Sequence, residues 1–307
     1  MTAFKSYAEF LIFQGIKFFF LFLPRRLCLF TGRFLGLSLY SLDKRHRLIA
    51  LSNLKTAFGS ELPSSALKEI ARKSFVHFGK FLADLIKFSC FKEEQIKKLI
   101  TVEGEENLKK ALEKGKGALL FSAHYGNWEI APYFISKKAK LNVIARPLDN
   151  ELLEKELIKI RKRLGAKVIY KKDAAKRTLK SLQAKEIVAL LIDQNVLRSQ
   201  AVFVDFFGKS AATTPSLAAF FLRTKSPLVP IFCYLSSCDT YHLKILKPLE
   251  IGLSGNYDQD VLKITQICTK IIEVQIRKDP YCWLWFHKRW KTRSEKEVSI
   301  QAGKNES

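Results

Sequence analysis

The sequence predicts an α/β protein whose mostly parallel mixed sheet is flanked by helices and preceded by an N-terminal helical region that meets a membrane surface. Three observations carry this. After Thr101, short β-rich apolar runs alternate with helical stretches. Residues 26–89 show apolar residues three and four apart between basic ones. Residues 10–23 read FLIFQGIKFFFLFL and are closed by Pro24, Arg25 and Arg26, an apolar run ended by a helix breaker and a basic pair.

The N-terminal run is short for a bilayer crossing, which takes about 20 apolar residues, and it carries Gln14 and Lys17. An interfacial helix, a tilted span and a signal peptide all fit its length, but no small-residue cleavage site follows it, so a retained anchor is the favoured reading. Between residues 1 and 60 there are nine lysines or arginines and only Glu9 and Asp43 as acids. An amphipathic basic region beside an apolar leader suits an anionic membrane. Helices are expected over 44–57 and 66–88.

Further on, strands are expected at 118–123, 142–145, 167–170, 187–192, 201–206, 227–234 and 241–246. Helices are expected at 105–114, 150–164, 174–184, 215–223 and 259–276. The domain reading is an anchor over 1–25, a basic helical region over 26–100, an α/β core over 101–293 and a polar tail over 294–307, with 26–293 forming one structural domain.

The chain has 307 residues, 48% of them hydrophobic and 24 of them phenylalanine, which excludes global disorder. Its formal charge of +24 calls for a negatively charged partner. Charge alone does not separate nucleic acid from membrane; the phenylalanine-rich leader favours the membrane and argues against nucleic acid. The six cysteines form no CxxC pair and no zinc-ligand cluster, so reduced thiols are expected, with no metal and no cofactor.

The segment with most chemistry is GALLFSAHYGNWEIAP, residues 117–132. An apolar strand ends near Ala123 and leaves His124 at its carboxyl end, the edge where open α/β sheets bind ligands. A helix is expected near Asn127, with Glu129 in its first turn. HxxxxE across a strand-to-helix turn lets the carboxylate hold the imidazole as a general base. No GxSxG elbow is present, so an attacking substrate hydroxyl is the favoured mechanism and acylation of Ser122 the runner-up. HxxxxE alone is a weak pattern; its place after a buried strand and before Gly126 strengthens it.

Five further blocks stand in order with SAHYGNWEIAP: ARPLDN at 145–150, LLIDQN at 190–195, VFVDFFG at 202–208, TTPSLAAF at 213–220 and WLWFHKRWKTR at 283–293. Together they resemble the late acyltransferases of lipid A biosynthesis, the lauroyl and myristoyl transferase family. The resemblance implies an enzyme on the cytoplasmic face of the inner membrane. It would take an acyl chain from the thioester of acyl carrier protein and esterify a hydroxyl of a hydroxyacyl chain on a lipid A precursor. The family's HxxxxD/E motif falls on His124 and Glu129, and Asn127 and Trp128 belong to the same block.

Arg146 is a candidate for holding a lipid phosphate or the developing oxyanion, with a surface salt bridge as the competing reading. Asp193 and Gln194, at the end of their strand, are expected to line the pocket or cap a turn. Phe206, Phe207 and Gly208 read as core or channel wall. Arg161, Lys162, Arg163, Lys167, Lys171, Lys172, Lys176 and Arg177 form a basic concentration for an acidic carrier protein or a phosphorylated head group. Trp283, Trp285, Arg289 and Trp290 mix aromatic and cationic character as interfacial anchors do, with two of the tryptophans as plain core in the competing reading. Two competing functions remain: another membrane glycerolipid or glycolipid acyltransferase, and a non-catalytic basic module for membrane or nucleic acid.

Overall fold

The computed structural model describes residues 3–170 and 174–294. Four helices come first: α1 (Ala3–Phe22), α2 (Arg25–Leu42), α3 (Lys44–Phe58) and α4 (Ser64–Phe88). Pro24, which cannot donate an intrahelical hydrogen bond, separates α1 from α2. The helices α2 and α4 cross where glycines let their backbones meet: a Cβ on Gly79 would collide with the Gly32 carbonyl oxygen, and one on Gly36 with that of Phe75.

Among the described residues no helix is long and apolar enough to cross a membrane. The polar groups that weaken α1 as a span fasten it to the rest of the molecule. Lys17 Nζ lies 2.5 Å from Glu156 Oε2, and Asn150 Nδ2 donates to the Ser6 carbonyl oxygen at 2.8 Å and to Glu9 Oε2 at 2.9 Å. Lys87 Nζ donates to the carbonyls of Phe20 and Leu21 at the end of α1, where a cation meets the negative pole of the helix.

The short helix α5 (Glu93–Lys97) leads into β1 (Ile100–Glu103), α6 (Glu105–Glu113), β2 (Ala118–Ser122), α7 (Ala131–Ile135), β3 (Leu141–Ala145), α8 (Glu151–Arg163) and β4 (Ala166–Tyr170). After the undescribed residues 171–173 come α9 (Ala174–Gln183), β5 (Ile187–Leu191), β6 (Val202–Phe206), β7 (Lys209–Thr213), α10 (Ser216–Thr224), β8 (Leu228–Leu235), β9 (Tyr241–Ile245) and α11 (Tyr257–Lys278).

Seven strands form one sheet in the order β1-β9-β8-β2-β5-β3-β4. Every pairing in it is parallel except β8 with β9, so the expected α/β class and mostly parallel mixed sheet are what the molecule has. Strand β2 is buried along its whole length, as a central strand covered on both faces must be. The hairpin β6-β7 stands apart as a two-stranded sheet. Most expected strands and helices appear within a few residues of their expected ends; β1 and β7, a four-residue and a small-residue strand, were not expected.

Corrections follow from burial. Trp283, Trp285 and Arg289 are fully enclosed, and Trp290 stacks on Phe206, so the C-terminal aromatic block is core rather than interfacial anchor. Phe206 and Phe207 belong to the same core cluster. All six cysteines are free; Cys90 and Cys238 are exposed, the other four buried. Lys171, Lys172 and the tail from residue 295 lie outside the described residues.

Candidate active site

Strands β2 and β5 run side by side in parallel, with Ser122 opposite Leu191. Two residues past each of those positions come His124 and Asp193, so the register delivers an imidazole and a carboxylate to the same point on the sheet's carboxyl edge. Asp193 grips the histidine twice: Oδ1 lies 2.9 Å from His124 Nδ1, and Oδ2 accepts from the His124 backbone N–H at 2.9 Å. Trp283 Nε1 donates to the same Oδ2 at 2.7 Å.

Burial of Asp193 opposes its ionisation, yet the charge and hydrogen bonds of His124, with the Trp283 donor, outweigh that and hold the carboxyl at about 2. A carboxylate accepts and does not donate, so Nδ1 carries a hydrogen toward Asp193, and the neutral form of the ring has its lone pair on Nε2. Gln194 Nε2 lies 3.3 Å from that nitrogen as a donor. The ring is further fixed by Trp128, edge to face at 4.9 Å between centroids. His124 keeps 20% of its side chain exposed while Asp193 keeps 2%, so the imidazole is reachable and its partner is sealed.

Glu129 makes no hydrogen bond to His124. The chain turns at Gly126, whose φ of +63° and contact with the Cys233 carbonyl leave no room for a Cβ. Residues 128–130 then form a turn, and α7 starts only at Ala131, later than the helix expected near Asn127. Glu129 is thereby turned toward α8, where Arg161 Nε and Nη2 meet its two oxygens at 2.9 and 2.5 Å. Arg161 is consequently a largely enclosed ion-pair partner, its side chain 12% exposed, and not part of a solvated basic face. Its pKa is raised, the Glu129 contact overcoming the effect of burial, while Nη1 has no partner among the described residues.

Both His124 and Glu129 line one cavity of about 910 Å³. Its walls are otherwise mainly apolar, from Phe13 and Ile16 of α1, Leu35 and Leu39 of α2, Phe78 and Leu82 of α4, and Leu153, Leu157 and Ile160 of α8. The cavity thus runs from the sheet edge beneath the N-terminal helices. Ser122 and Gln194 also line it. Arg146 sits at the cavity wall but is largely exposed and pairs with Asp149 at 3.1 Å. Asn127 is fully buried and supports the turn: its Nδ2 donates to Tyr241 Oη at 3.0 Å.

The sequence alone did not single out Trp283 as a donor to Asp193, Arg161 as the partner of Glu129, or His77. The last, on α4, places Nε2 3.2 Å from the Gly126 carbonyl oxygen. A register of β2 against β5 would have found the Asp193 contact; no local signal marks the others.

An imidazole held by a carboxylate on the wall of a mainly apolar cavity can accept a proton from an alcohol attacking an acyl group whose chain lies in hydrocarbon surroundings. Comparisons with known proteins point to acyl transfer as well. A family model described as bacterial lipid A biosynthesis acyltransferase matches residues 2–292. The chain is similar to the lipid A biosynthesis palmitoleoyltransferase of Escherichia coli (strain K12), at 25% identity over 93% of this chain and 92% of that one. It is also similar to a lipid A biosynthesis acyltransferase of Haemophilus influenzae, at 26% identity over 83% and 80%. A phosphatidylinositol mannoside acyltransferase of Mycolicibacterium smegmatis is 22% identical over 74% of each chain.

Proposed function

From the premise that the chain belongs to the bacterial lipid A biosynthesis acyltransferase family and is an enzyme that transfers acyl groups, we propose that it moves a fatty acyl chain from the thioester of acyl carrier protein to a hydroxyl on a lipid A precursor, with His124 as general base. The observation that carries this reading is the 2.9 Å contact of His124 Nδ1 with buried Asp193 at the edge of the apolar cavity. His124 Nε2 takes the hydroxyl proton as the oxygen attacks the thioester carbonyl. Collapse of the tetrahedral intermediate breaks the C–S bond, and the imidazolium returns its proton to the departing sulfur. Asp193 stays ionised and steadies the imidazolium. Glu129 and Arg161 brace the turn against α8 and add an ion pair to the cavity wall.

The acceptor hydroxyl lies on an acyl chain of the precursor in this reading, so both reacting groups arrive attached to hydrocarbon. A site opening toward lipid fits that requirement. Phe4, Ile12, Phe18, Phe22, Phe30, Phe34 and Leu42 of α1 and α2 are exposed, and Lys5, Arg26, Arg33, Lys44 and Arg45 are exposed among them. An apolar face edged with cations supports seating on an anionic membrane, by the reading here the cytoplasmic face of the inner membrane. Lys162, Arg163, Lys167 and Lys176 are exposed and offer charge complementarity to an acidic carrier protein.

The phosphatidylinositol mannoside relatives favour one second reading, a different glycolipid acceptor for the same chemistry. Mass spectrometry of lipid A from cells lacking and then regaining the protein separates the two. Lipid A that loses and recovers the mass of one acyl group supports the lipid A acceptor; unchanged lipid A with a changed glycolipid supports the second.

A further inference from the structure

The turn that follows His124 is held by backbone contacts with the strands and segments around it. Gly126 N–H donates to the Cys282 carbonyl at 2.9 Å, Asn127 N–H to that of Cys233 at 2.7 Å, and Leu284 N–H to that of His124 at 2.9 Å. One buried line of side chains runs elsewhere, from the turn to the start of α2. Asn127 Nδ2 donates to Tyr241 Oη at 3.0 Å; Tyr241 Oη donates to Asp84 Oδ2 at 2.8 Å; Arg25 Nε and Nη2 donate to the two oxygens of Asp84 at 2.8 and 2.7 Å. Asn127, Tyr241 and Asp84 are all 1% exposed or less.

The directions agree along the line. Each hydroxyl or amide donates toward the carboxylate, and the guanidinium closes the far end with a forked contact, an arrangement in which successive hydrogen bonds polarise one another. Arg25 follows the Pro24 break and is the first residue of α2. At the other end, Asn127 precedes Trp128, whose ring packs between Phe81, at 4.3 Å, and His124, at 4.9 Å. Fixing Asn127 therefore fixes the residue that rests on the imidazole.

We propose that Asp84 and Tyr241 are positioning residues which lock Asn127, and through it Trp128 and His124, to the break between α1 and α2, so that the turn reaches its working geometry when the N-terminal helices are seated. The kinetic part of this rests on the general-base reading of His124; the structural part does not. None of the four residues needs to touch substrate: Arg25, Asp84, Asn127 and Tyr241 lie outside the cavity walls.

The test uses the full chain and three variants. Tyr241→Phe removes only the hydroxyl that joins Asn127 to Asp84, and Arg25→Gln removes the charge at the far end, with Arg25→Lys as its conservative counterpart. Amide hydrogen exchange is followed over residues 123–128 and, as an internal control, over β4. Expected for Tyr241→Phe and Arg25→Gln is exchange about tenfold faster in the turn, the scale of one lost buried hydrogen bond, with β4 unchanged and partial restoration in Arg25→Lys. Turnover falls about as much while KM for the acceptor holds.

Wild-type exchange in the turn of Tyr241→Phe overturns the proposal, as does loosening of β4 to the same extent, which would make the line a general scaffold. Exchange is read without substrate, so an inactive wild-type enzyme would count against the general-base reading alone.

Discussion

His124 and Asp193 stand 69 positions apart in the chain, yet Nδ1 of one lies 2.9 Å from Oδ1 of the other, because each follows the end of one of two neighbouring parallel strands. The nearer carboxylate in sequence, Glu129, is committed to Arg161. That division assigns different consequences to the two acids.

Asp193→Asn keeps the shape but offers the imidazole an amide in place of a carboxylate, losing the tautomer control and the charge. Turnover should fall by about two to four orders of magnitude, with the urea midpoint changed far less than activity. A folded Asp193→Asn enzyme with wild-type kcat would remove Asp193 from the mechanism.

Glu129→Gln should instead act first on stability. It leaves the partly enclosed Arg161 guanidinium without its counter-ion, and breaking a fully buried pair in this way costs about 3–5 kcal/mol, the upper bound for this one. Equilibrium urea unfolding measures it; combining Glu129→Gln with Arg161→Met should recover much of the loss. Unchanged stability of the single variant would show the pair to be dispensable to the fold.

Burial, aided by nearby Lys80 and opposed by the Gly126 carbonyl contact, pushes His77 down to about 4. Its folded value lies below the ordinary value of about 6.5, so the unfolded chain takes up this proton first as pH falls. Stability tied to His77 is intact above about 6.5 and is lost between there and about 4. His77→Gln retains a donor for Gly126 without titrating. Its urea midpoint should fall less between pH 7 and pH 5 than that of the wild type; equal falls would exclude His77 as the source.

Phe30 and Phe34 are 67% and 65% exposed. If α2 rests on a bilayer, replacing both with serine should weaken sedimentation with anionic vesicles by at least about tenfold, given roughly 1.5–3 kcal/mol per buried phenylalanine. Arg26→Ala and Arg33→Ala should weaken it further at low salt and little at high salt. Binding indifferent to all four changes would place the membrane contact elsewhere.

The sequence disclosed the fold class and the general place of the site because those depend on local pattern. Runs such as ALLF and IVALL are apolar throughout, as buried parallel strands must be, and His124 just past the first of them has no packing reason to be there. Pairing was harder. Glu129 looked like the histidine's partner because five residues span a turn, but the left-handed Gly126 redirects the chain and sends that carboxylate to α8. For Asp193 the local sequence offers only pocket lining or a turn cap, since the β2-β5 register that brings it to His124 is a long-range property. The aromatic block at 283–290 was misleading for a related reason: tryptophan and arginine suit a lipid interface, and they equally suit a core where indole N–H groups find buried acceptors such as Asp193. Lys17 counts against α1 as a span, and its partner Glu156 stands 139 positions away on α8, beyond the reach of any local pattern.

The central claim is that His124 removes the proton of a lipid-borne hydroxyl. Single-turnover transfer from an acyl carrier protein thioester to a purified lipid A precursor, with the product weighed by mass spectrometry, tests it most directly. The wild type should add one acyl mass, and a folded His124→Ala protein should do so about two to four orders of magnitude more slowly. Transfer by that variant at the wild-type rate would contradict the account.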